Sequence, residues 1–326
     1  MESKPKLAIY WSSGCGGCEI AFANLHERLL SLVQRADLVF CPCLVDAKRQ
    51  DVEAMADGEL ALTLLDGAIR TEENEEWAHL LRRKSRTLVA MGACAHGGGI
   101  PALANLHGRD ALLERVFRDG TENPLSVVPE REVRVPEGVL ALPGLHVRVR
   151  PVAEVVDVDY AIPGCPPESD HLWNVLALFV SGAPLPPRGA VLGATASSAC
   201  AECGRKRSNK RVQGFRRTWE LEPDPEQCLL EQGIVCMGPA TRGGCGARCP
   251  SVQMPCIGCY GPPEGVYDQS AKMVSTLGAI LDIAPIRGLR DEAEIADRVD
   301  ASLDAIPDIA GVAGKFYPAR SAGRRS

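Results

Sequence analysis

Fourteen cysteines in a chain of 326 residues constrain this protein more than any other feature of its sequence. The first residues contain no apolar run of signal-peptide length, and no window approaches the roughly 18 apolar residues of a membrane span. We therefore expect a cytoplasmic chain without membrane insertion. Structural disulfides are rare in that reducing compartment, so the thiols are expected to bind metal.

The overall charge argues against one broad class of partner. Apolar residues make up 45% of the chain and charged residues 24%, as in an ordinary globular protein, and the formal net charge is −6. A general nucleic-acid-binding protein instead carries an excess of basic residues. We therefore expect no nucleic-acid partner.

Short apolar runs alternate with charged segments in the first half of the chain. Residues 19–36 have apolar side chains at helical spacing, and residues 71–86 and 168–180 also indicate helices. Such alternation is typical of an α/β protein, so we predict a flavodoxin-like, doubly wound parallel sheet. The predicted strands lie within residues 7–11, 37–45, 59–69, 87–92 and 158–164.

A second domain is predicted beyond a stretch rich in Pro and Gly at residues 181–190. Residues 200–263 show little periodicity and contain eight cysteines, so this domain should be loop-rich and should depend on bound metal. Amphipathic stretches near 265–283 and 290–305 predict C-terminal helices. The predicted domains are residues 1–182 and residues 183–326.

The cysteines fall into sets of four. Cys41 and Cys43 alternate along a predicted strand and are interpreted as buried packing thiols rather than ligands. Of the other twelve, one set follows predicted strand ends, where α/β proteins bind ligands, and glycines beside it let backbone N–H groups approach the sulfurs. The predicted sets are Cys15, Cys18, Cys94 and Cys165; Cys200, Cys203, Cys228 and Cys236; and Cys245, Cys249, Cys256 and Cys259.

Two kinds of metal centre accept four thiolates. Structural zinc and iron–sulfur clusters both use them, and one Cys-x-x-Cys pair does not distinguish the two. Three zinc sites would be an unusual way to stabilise a fold that already has a parallel-sheet core, so twelve grouped thiols favour three iron–sulfur clusters. A redox dithiol at Cys15 and Cys18 is less favoured, because it needs no partners at Cys94 and Cys165.

Several spaced motifs resemble those of one family. In combination they make the chain similar to the small, electron-transfer subunits of nickel–iron hydrogenases, in particular the cytoplasmic, methyl-viologen-reducing type linked to heterodisulfide reductase. The motifs are GCGGCE at residues 14–19, GACAHGGGIP at 92–101, PGCPP at 163–167, CAEC at 200–203 and the cysteine-rich segment that begins at Cys236.

The resemblance implies three 4Fe-4S clusters and a role for each set of cysteines. The set that begins at Cys15 would hold the proximal cluster, the set at Cys245 the medial cluster and the set at Cys200 the distal cluster. Glu19 resembles a family carboxylate that helps protons leave the active site. A carboxylate in the first turn of a helix is also favoured by the helix dipole alone, so that interpretation stays open.

The resemblance also implies an oxidoreductase with its nickel–iron site in a large-subunit partner. The chain would pass electrons from H2 to a cytoplasmic acceptor subunit, an iron–sulfur or flavin protein linked to heterodisulfide reductase. Seven Lys and Arg residues at 205–217 would form either a solvated face or a docking surface for an acidic acceptor. The alternatives are a complex I-like subunit without hydrogenase activity, a large partner that has lost its nickel ligands, and a zinc-stabilised interaction module.

Overall fold

The structure is a computed structural model that describes residues 4–119, 127–282 and 288–304. The strands are β1 (Lys6–Trp11), β2 (Asp37–Phe40), β3 (Leu60–Asp66), β4 (Ile69–Thr71), β5 (Ser85–Met91), β6 (Glu132–Val135), β7 (Gly138–Ala141), β8 (Leu145–Arg150) and β9 (Tyr160–Ile162). The helices are α1 (Gly17–Ala23), α2 (Arg28–Arg35), α3 (Arg49–Glu53), α4 (Glu72–Lys84), α5 (Gly92–Gly97), α6 (Arg109–Glu114), α7 (Ser169–Ser181), α8 (Arg248–Ser251), α9 (Gln269–Ile280) and α10 (Glu292–Asp304).

A parallel sheet of five strands in the order β2-β1-β3-β5-β9 forms the centre of the first compact unit. The chain crosses from β1 to β2 on one side and returns to β3 on the other, so β1 and β3 flank the point at which the strand order reverses. Ligands of doubly wound sheets bind at the carboxyl ends of the strands near such a point. The predicted flavodoxin-like, doubly wound fold is confirmed.

Burial on both faces explains why the strands have nearly continuous apolar sequences. Along β1, Ile9 packs on one face with Phe22 of α1, while Tyr10 packs on the other with Trp77 of α4. The Tyr10 and Trp77 rings stack with their centroids 4.7 Å apart. Each face therefore has its own apolar core, covered by a different group of helices.

The helix predicted over residues 19–36 is interrupted. The structure has α1 and α2 there, separated by a short turn in which His26 has a positive φ of 51°. A non-glycine residue in this left-handed conformation ends the regular helical path. The turn allows Leu25 and Leu32 to be buried in the core while Leu30 faces solvent.

The second compact unit begins after Gly193, where the chain divides. As predicted, its residues lie mainly in loops and short turns, with α9 and α10 towards the C-terminus. An apolar cluster that includes Phe215, Ile234 and Met273 also contains Cys236 and Cys256. The boundary between residues 182 and 183 stays a prediction.

Within the described part of the chain, no helix has both the length and the apolar character required to cross a bilayer.

We expect the buried carboxylate of Asp159 to stabilise the first unit. Asp159 is 4% exposed and accepts hydrogen bonds from Arg82 Nη1 at 2.6 Å and from the backbone N–H of Leu88 at 2.8 Å. Burial alone would raise the pKa of Asp159, but these donors, with Arg188, lower it below its usual value. Asp159→Asn should lower the free energy of unfolding by about 3 kcal/mol at pH 7, because Arg82 loses its charged partner.

The pH dependence of this loss follows from the lowered pKa. A depressed carboxyl pKa stabilises the folded state above the unfolded pKa of about 4, and the stabilisation disappears as the pH falls through the folded value. Urea unfolding should therefore show the full difference at pH 7 and a smaller one near pH 3. Asp157→Asn, at an exposed position, is the control, and an equal loss there would contradict the assignment.

Candidate cluster sites

Four predicted ligands from distant parts of the sequence line one pocket at the carboxyl end of the sheet. Cys15 and Cys18 follow β1, Cys94 lies in α5 after β5, and Cys165 follows β9. Their loops converge because the strands that carry them are parallel and end at the same edge. The structure therefore brings the first predicted set together.

Glycines leave the space that these sulfurs occupy. A Cβ placed on Gly92, whose φ is +84°, would lie 2.5 Å from Cys18 Sγ. A Cβ on Gly99, whose φ is +54°, would lie 2.7 Å from Cys94 Sγ. Both positions combine a backbone conformation that favours glycine with a contact too short for any side chain, so the backbone forms part of the pocket wall.

Two thiols of this pocket have pKa values well above that of a free cysteine. Burial raises the pKa of Cys94 to about 12, with further contributions from Cys165 and Cys15, while the backbone N–H of Ile100 opposes the shift. Burial also raises the pKa of Cys18. Because thiolates bind metal and thiols do not, any metal held here has to displace protons.

Two carboxyl groups lie beside the pocket. Asp66, the last residue of β3, is 1% exposed, and burial followed by the contact with Glu19 raises its pKa to about 9. Asp66 Oδ2 and both Glu19 oxygens are buried and accept no hydrogen bond from a donor in the described residues. Burial and the neighbouring Glu19 therefore disfavour the ionised form of Asp66.

Asp66 was not among the predicted site residues. The sequence did contain a signal for it, because it is the single acidic residue at the end of the apolar run LALTLLD, at the edge of the sheet where ligands bind. Glu19 lies in the first turn of α1, as the helix-dipole interpretation also requires. The contact between the two carboxyls is visible only in the folded chain.

The second predicted set lies in the loops of the second unit. Burial raises the pKa of Cys200 to about 12, and the neighbouring Cys236, Cys228 and Cys203 raise it further. The other three thiols of the set are thus within electrostatic reach of Cys200. A Cβ on Gly238 would lie 2.9 Å from Cys200 Sγ, so this set also has glycine backbone against a sulfur.

The third predicted set is connected to the second by a backbone hydrogen bond. The N–H of Cys256 donates to Cys236 Sγ at 3.3 Å. Burial raises the pKa of Cys256 to about 12, with contributions from Cys236 and Cys245, while the N–H of Gly258 and the Thr241 hydroxyl oppose the shift. Donors therefore face sulfurs here too, and such hydrogen bonds tune the reduction potential of an iron–sulfur cluster.

Glu202 fixes the position of one loop of the third set. Its two carboxylate oxygens accept hydrogen bonds from the N–H groups of Gly244 at 2.6 Å and Gly246 at 2.9 Å, on either side of Cys245. Glu202 itself lies within the CAEC motif, next to Cys203. The carboxylate thus holds the Cys245 loop against the loop of the second set.

The prediction for the two remaining cysteines is half wrong. Cys41 is buried in the apolar core, as predicted, but Cys43 is exposed. The physical reason is that β2 ends at Phe40, so the predicted alternation along a strand does not extend to these residues.

Within the ranges that the structure describes, no three His, Cys, Asp or Glu side chains converge as ligands of a single metal ion. A 4Fe-4S cluster is instead held by four cysteines that surround it, each on a different iron. The pocket ringed by Cys15, Cys18, Cys94 and Cys165 has that arrangement of donors. Its glycine-lined wall and its N–H donor to sulfur fit such a group.

The family model described as the 20 kDa subunit of NADH–ubiquinone oxidoreductase matches residues 15–179. The chain is also 39% identical to the iron–sulfur subunit of the F420-non-reducing hydrogenase of Archaeoglobus profundus, over 85% of this chain and 88% of that protein. It is 35% identical to a subunit of the F420-non-reducing hydrogenase of Methanothermobacter marburgensis, over 92% of both chains.

Among solved structures, a chain of the nickel–iron–selenium hydrogenase of Desulfomicrobium baculatum matches with a TM-score of 0.50. The match has 19% sequence identity and covers 81% of this chain and 96% of that chain. This likeness concerns the fold alone.

The family model and the relatives define the class as subunits of hydrogenases and related oxidoreductases. The chain belongs to the family of the 20 kDa subunit of NADH–ubiquinone oxidoreductase and, within it, to the iron–sulfur subunits of F420-non-reducing hydrogenases. The family resemblance predicted from the motifs is confirmed.

Gly92→Ala should test the close approach of backbone to sulfur. The substitution introduces a Cβ that displaces Cys18 Sγ, and it adds the strain of a positive φ. Gly182→Ala is the matched control, because Gly182 has a φ of +69° and nothing within 4 Å of its Cβ position. We expect Gly92→Ala to reduce the free energy of unfolding by about 1–3 kcal/mol more than the control in urea titrations. Equal losses would show that Cys18 moves aside freely.

Proposed function

We propose that this chain is the electron-transfer small subunit of a nickel–iron hydrogenase and binds three 4Fe-4S clusters. The observation that carries the proposal is the ring of four cysteines at the carboxyl end of a flavodoxin-like sheet, in a chain that contains two further sets of four. Relatives that share 35–39% identity over most of the chain are named as hydrogenase subunits.

Each set of four cysteines is proposed to bind one cluster. The first set would hold a proximal cluster, the second a distal cluster and the third a medial cluster. When bound, such clusters supply one-electron redox chemistry. The ligands are Cys15, Cys18, Cys94 and Cys165 (proximal); Cys245, Cys249, Cys256 and Cys259 (medial); and Cys200, Cys203, Cys228 and Cys236 (distal).

The protein's own contribution is to hold the thiolates and to exclude side chains from the sites. Backbone N–H groups of Ile100 and Gly258 face the sulfurs of Cys94 and Cys256 and favour their thiolate forms. Gly92 gives the Cys18 sulfur its space. Each site is thus organised largely by backbone atoms.

Two partner chains complete the proposal. A large subunit would carry the nickel–iron site, and an iron–sulfur or flavin protein, linked to heterodisulfide reductase, would accept the electrons. The assembly would be cytoplasmic, with the proximal site in a domain of residues 1–182 and the other sites in a domain of residues 183–326. Relatives named as hydrogenase subunits match beyond the complex I-type domain, which favours this function over a complex I-like one.

Metal analysis with EPR spectroscopy tests the proposal directly. Anaerobically purified protein should contain about twelve irons per chain, with fast-relaxing signals after reduction by dithionite. Cys94→Ser should remove about four of these irons and abolish H2 turnover by the complex. Cys41→Ser should leave the iron content near that of the wild type, because Cys41 lies in the apolar core.

Zinc without iron would replace the proposal with a zinc-stabilised interaction module. Iron without reduction by H2, in the complex with its large subunit, would point to a partner that lacks a working nickel–iron site. Loss of iron in Cys41→Ser would overturn the assignment of twelve ligands.

We further propose that Glu19 holds and passes a proton beside the proximal site, with Asp66 as its partner. In the complex, Glu19→Gln should lower the rate of H2-dependent methyl viologen reduction by about tenfold or more, while iron content stays constant. Glu19→Asp should restore part of the rate. If Glu19 acts only as a charge at the start of α1, Glu19→Gln will lower thermal stability and leave the rate unchanged.

A further inference from the structure

One loop of the second unit has a charge opposite to that of the whole chain. Residues 204–217, here called the basic loop, contain seven Lys and Arg residues and no acidic residue, although the net charge of the chain is −6. Segregation of charge on this scale creates a local positive potential.

A buried carboxylate holds the turn of the basic loop in place. Glu231 is 5% exposed, and its oxygens accept hydrogen bonds from the N–H groups of Ser208 at 2.8 Å and Asn209 at 2.9 Å. Asn209 lies in this turn with a φ of 56°, in the left-handed region of backbone conformation. Burial would raise the pKa of Glu231, but these donors and Gln227 lower it, so the carboxylate stays ionised at neutral pH.

The basic loop is also attached to the second set of cysteines. The backbone N–H of Cys228 donates to the carbonyl of Lys206 at 2.8 Å, and Cys203 directly precedes the loop. The loop therefore lies beside the proposed distal site.

Some of the cations in the basic loop serve its own structure. Arg205 donates to three backbone carbonyls at 2.9 Å, and Arg211 donates to two carbonyls at the end of α9. Lys206 pairs with Glu226 at 2.5 Å. The Arg217 guanidinium lies 4.9 Å from the ring centroid of Trp219, which is 73% exposed.

Three other cations of the loop point into solvent. Arg207, Lys210 and Arg216 are exposed, and none of them has a carboxylate within ion-pair distance among residues 4–119, 127–282 and 288–304. On an ordinary solvated face, charged side chains lie on mobile backbone or form ion pairs with their neighbours. In the basic loop, hydrogen bonds hold the backbone while these three cations have no carboxylate partner among the described residues. Such a surface favours association with a complementary, negatively charged one.

We propose that the basic loop is the docking surface for the electron acceptor, and that the acceptor is a redox protein with an acidic face, which contacts Arg207 and Lys210. This inference rests on the proposed function, because it takes the adjacent cysteine set to be the exit point of the electrons. A nucleic acid would also be attracted to positive charge, but the net charge of −6 opposes a polyanion that extends beyond the loop.

The test uses the complex of this chain with its large subunit and two protein probes of opposite charge. The probes are an acidic plant-type 2Fe-2S ferredoxin and basic cytochrome c, each reduced with H2 as the electron donor. The variant is Arg207→Glu with Lys210→Glu. Arg35→Glu with Arg83→Glu, at exposed positions in the first unit, is the control with the same change in net charge.

At about 20 mM ionic strength, the charge reversal should slow ferredoxin reduction by about tenfold or more and should not slow cytochrome c reduction. The wild-type ferredoxin rate should fall as salt is added, and the variant rate should not. The control pair should keep at least half of the wild-type ferredoxin rate. Arg207→Gln with Lys210→Gln, which removes charge without reversing it, should give an intermediate loss.

Reduction of methyl viologen by H2 separates the failure of this inference from that of the proposed function. If wild-type complex fails to reduce methyl viologen, the proposed function fails. If methyl viologen reduction is normal and the charge reversal leaves the ferredoxin rate unchanged, the docking inference is wrong. Tight binding of a 20-base-pair DNA duplex, lost in the charge reversal while ferredoxin reduction is unaffected, would also overturn it.

Glu231 is a positioning residue under this inference. Glu231→Gln should accelerate amide hydrogen exchange at Ser208 and Asn209, because the ionised acceptor beneath the turn is lost. It should also slow ferredoxin reduction several-fold while methyl viologen reduction stays normal. Faster exchange with an unchanged ferredoxin rate would show that the carboxylate has a structural role only.

Discussion

Parallel pairing of β1, β3, β5 and β9 is the constraint on which the rest of the first unit depends. Because parallel strands end at the same edge, residues as distant as Cys15 and Cys165 reach one pocket. A shift of one residue in β1 or β9 would turn each strand's apolar side chains to the opposite face. Core packing on both faces therefore fixes the register, and the register fixes the positions of the thiols.

Carboxylates in both units contact neighbouring loops and side chains, but their oxygens are satisfied in different ways. Glu202 and Glu231 accept backbone N–H groups and hold loops next to cysteines. The oxygens shared between Glu19 and Asp66 lack such donors. Two carboxylates therefore act as structural anchors, while burial and the neighbouring Glu19 disfavour the ionised form of Asp66 beside the pocket that contains Cys15.

The sequence predicted the elements with strong periodicity and missed those that depend on tertiary contacts. The five strands of the parallel sheet, α4, α7 and the C-terminal helices were expected where they occur, because their apolar spacing is regular. The short strands β4, β6, β7 and β8 were not predicted. The break at His26 was missed, since burial of Leu25 overrides local helical spacing. The exposure of Cys43 was missed because the pattern did not show where β2 ends.

The sequence by itself determined the class of fold and the family, because apolar periodicity and motif spacing are local properties. The grouping of the twelve cysteines into three sets stays a prediction. Only the tertiary structure decided that Asp66 faces Glu19, that Glu202 holds the Cys245 loop, and that Glu231 supports the basic loop. These contacts join residues far apart in the chain. The packing of strands and loops decides which residues meet in these contacts, and a local sequence pattern does not show that packing.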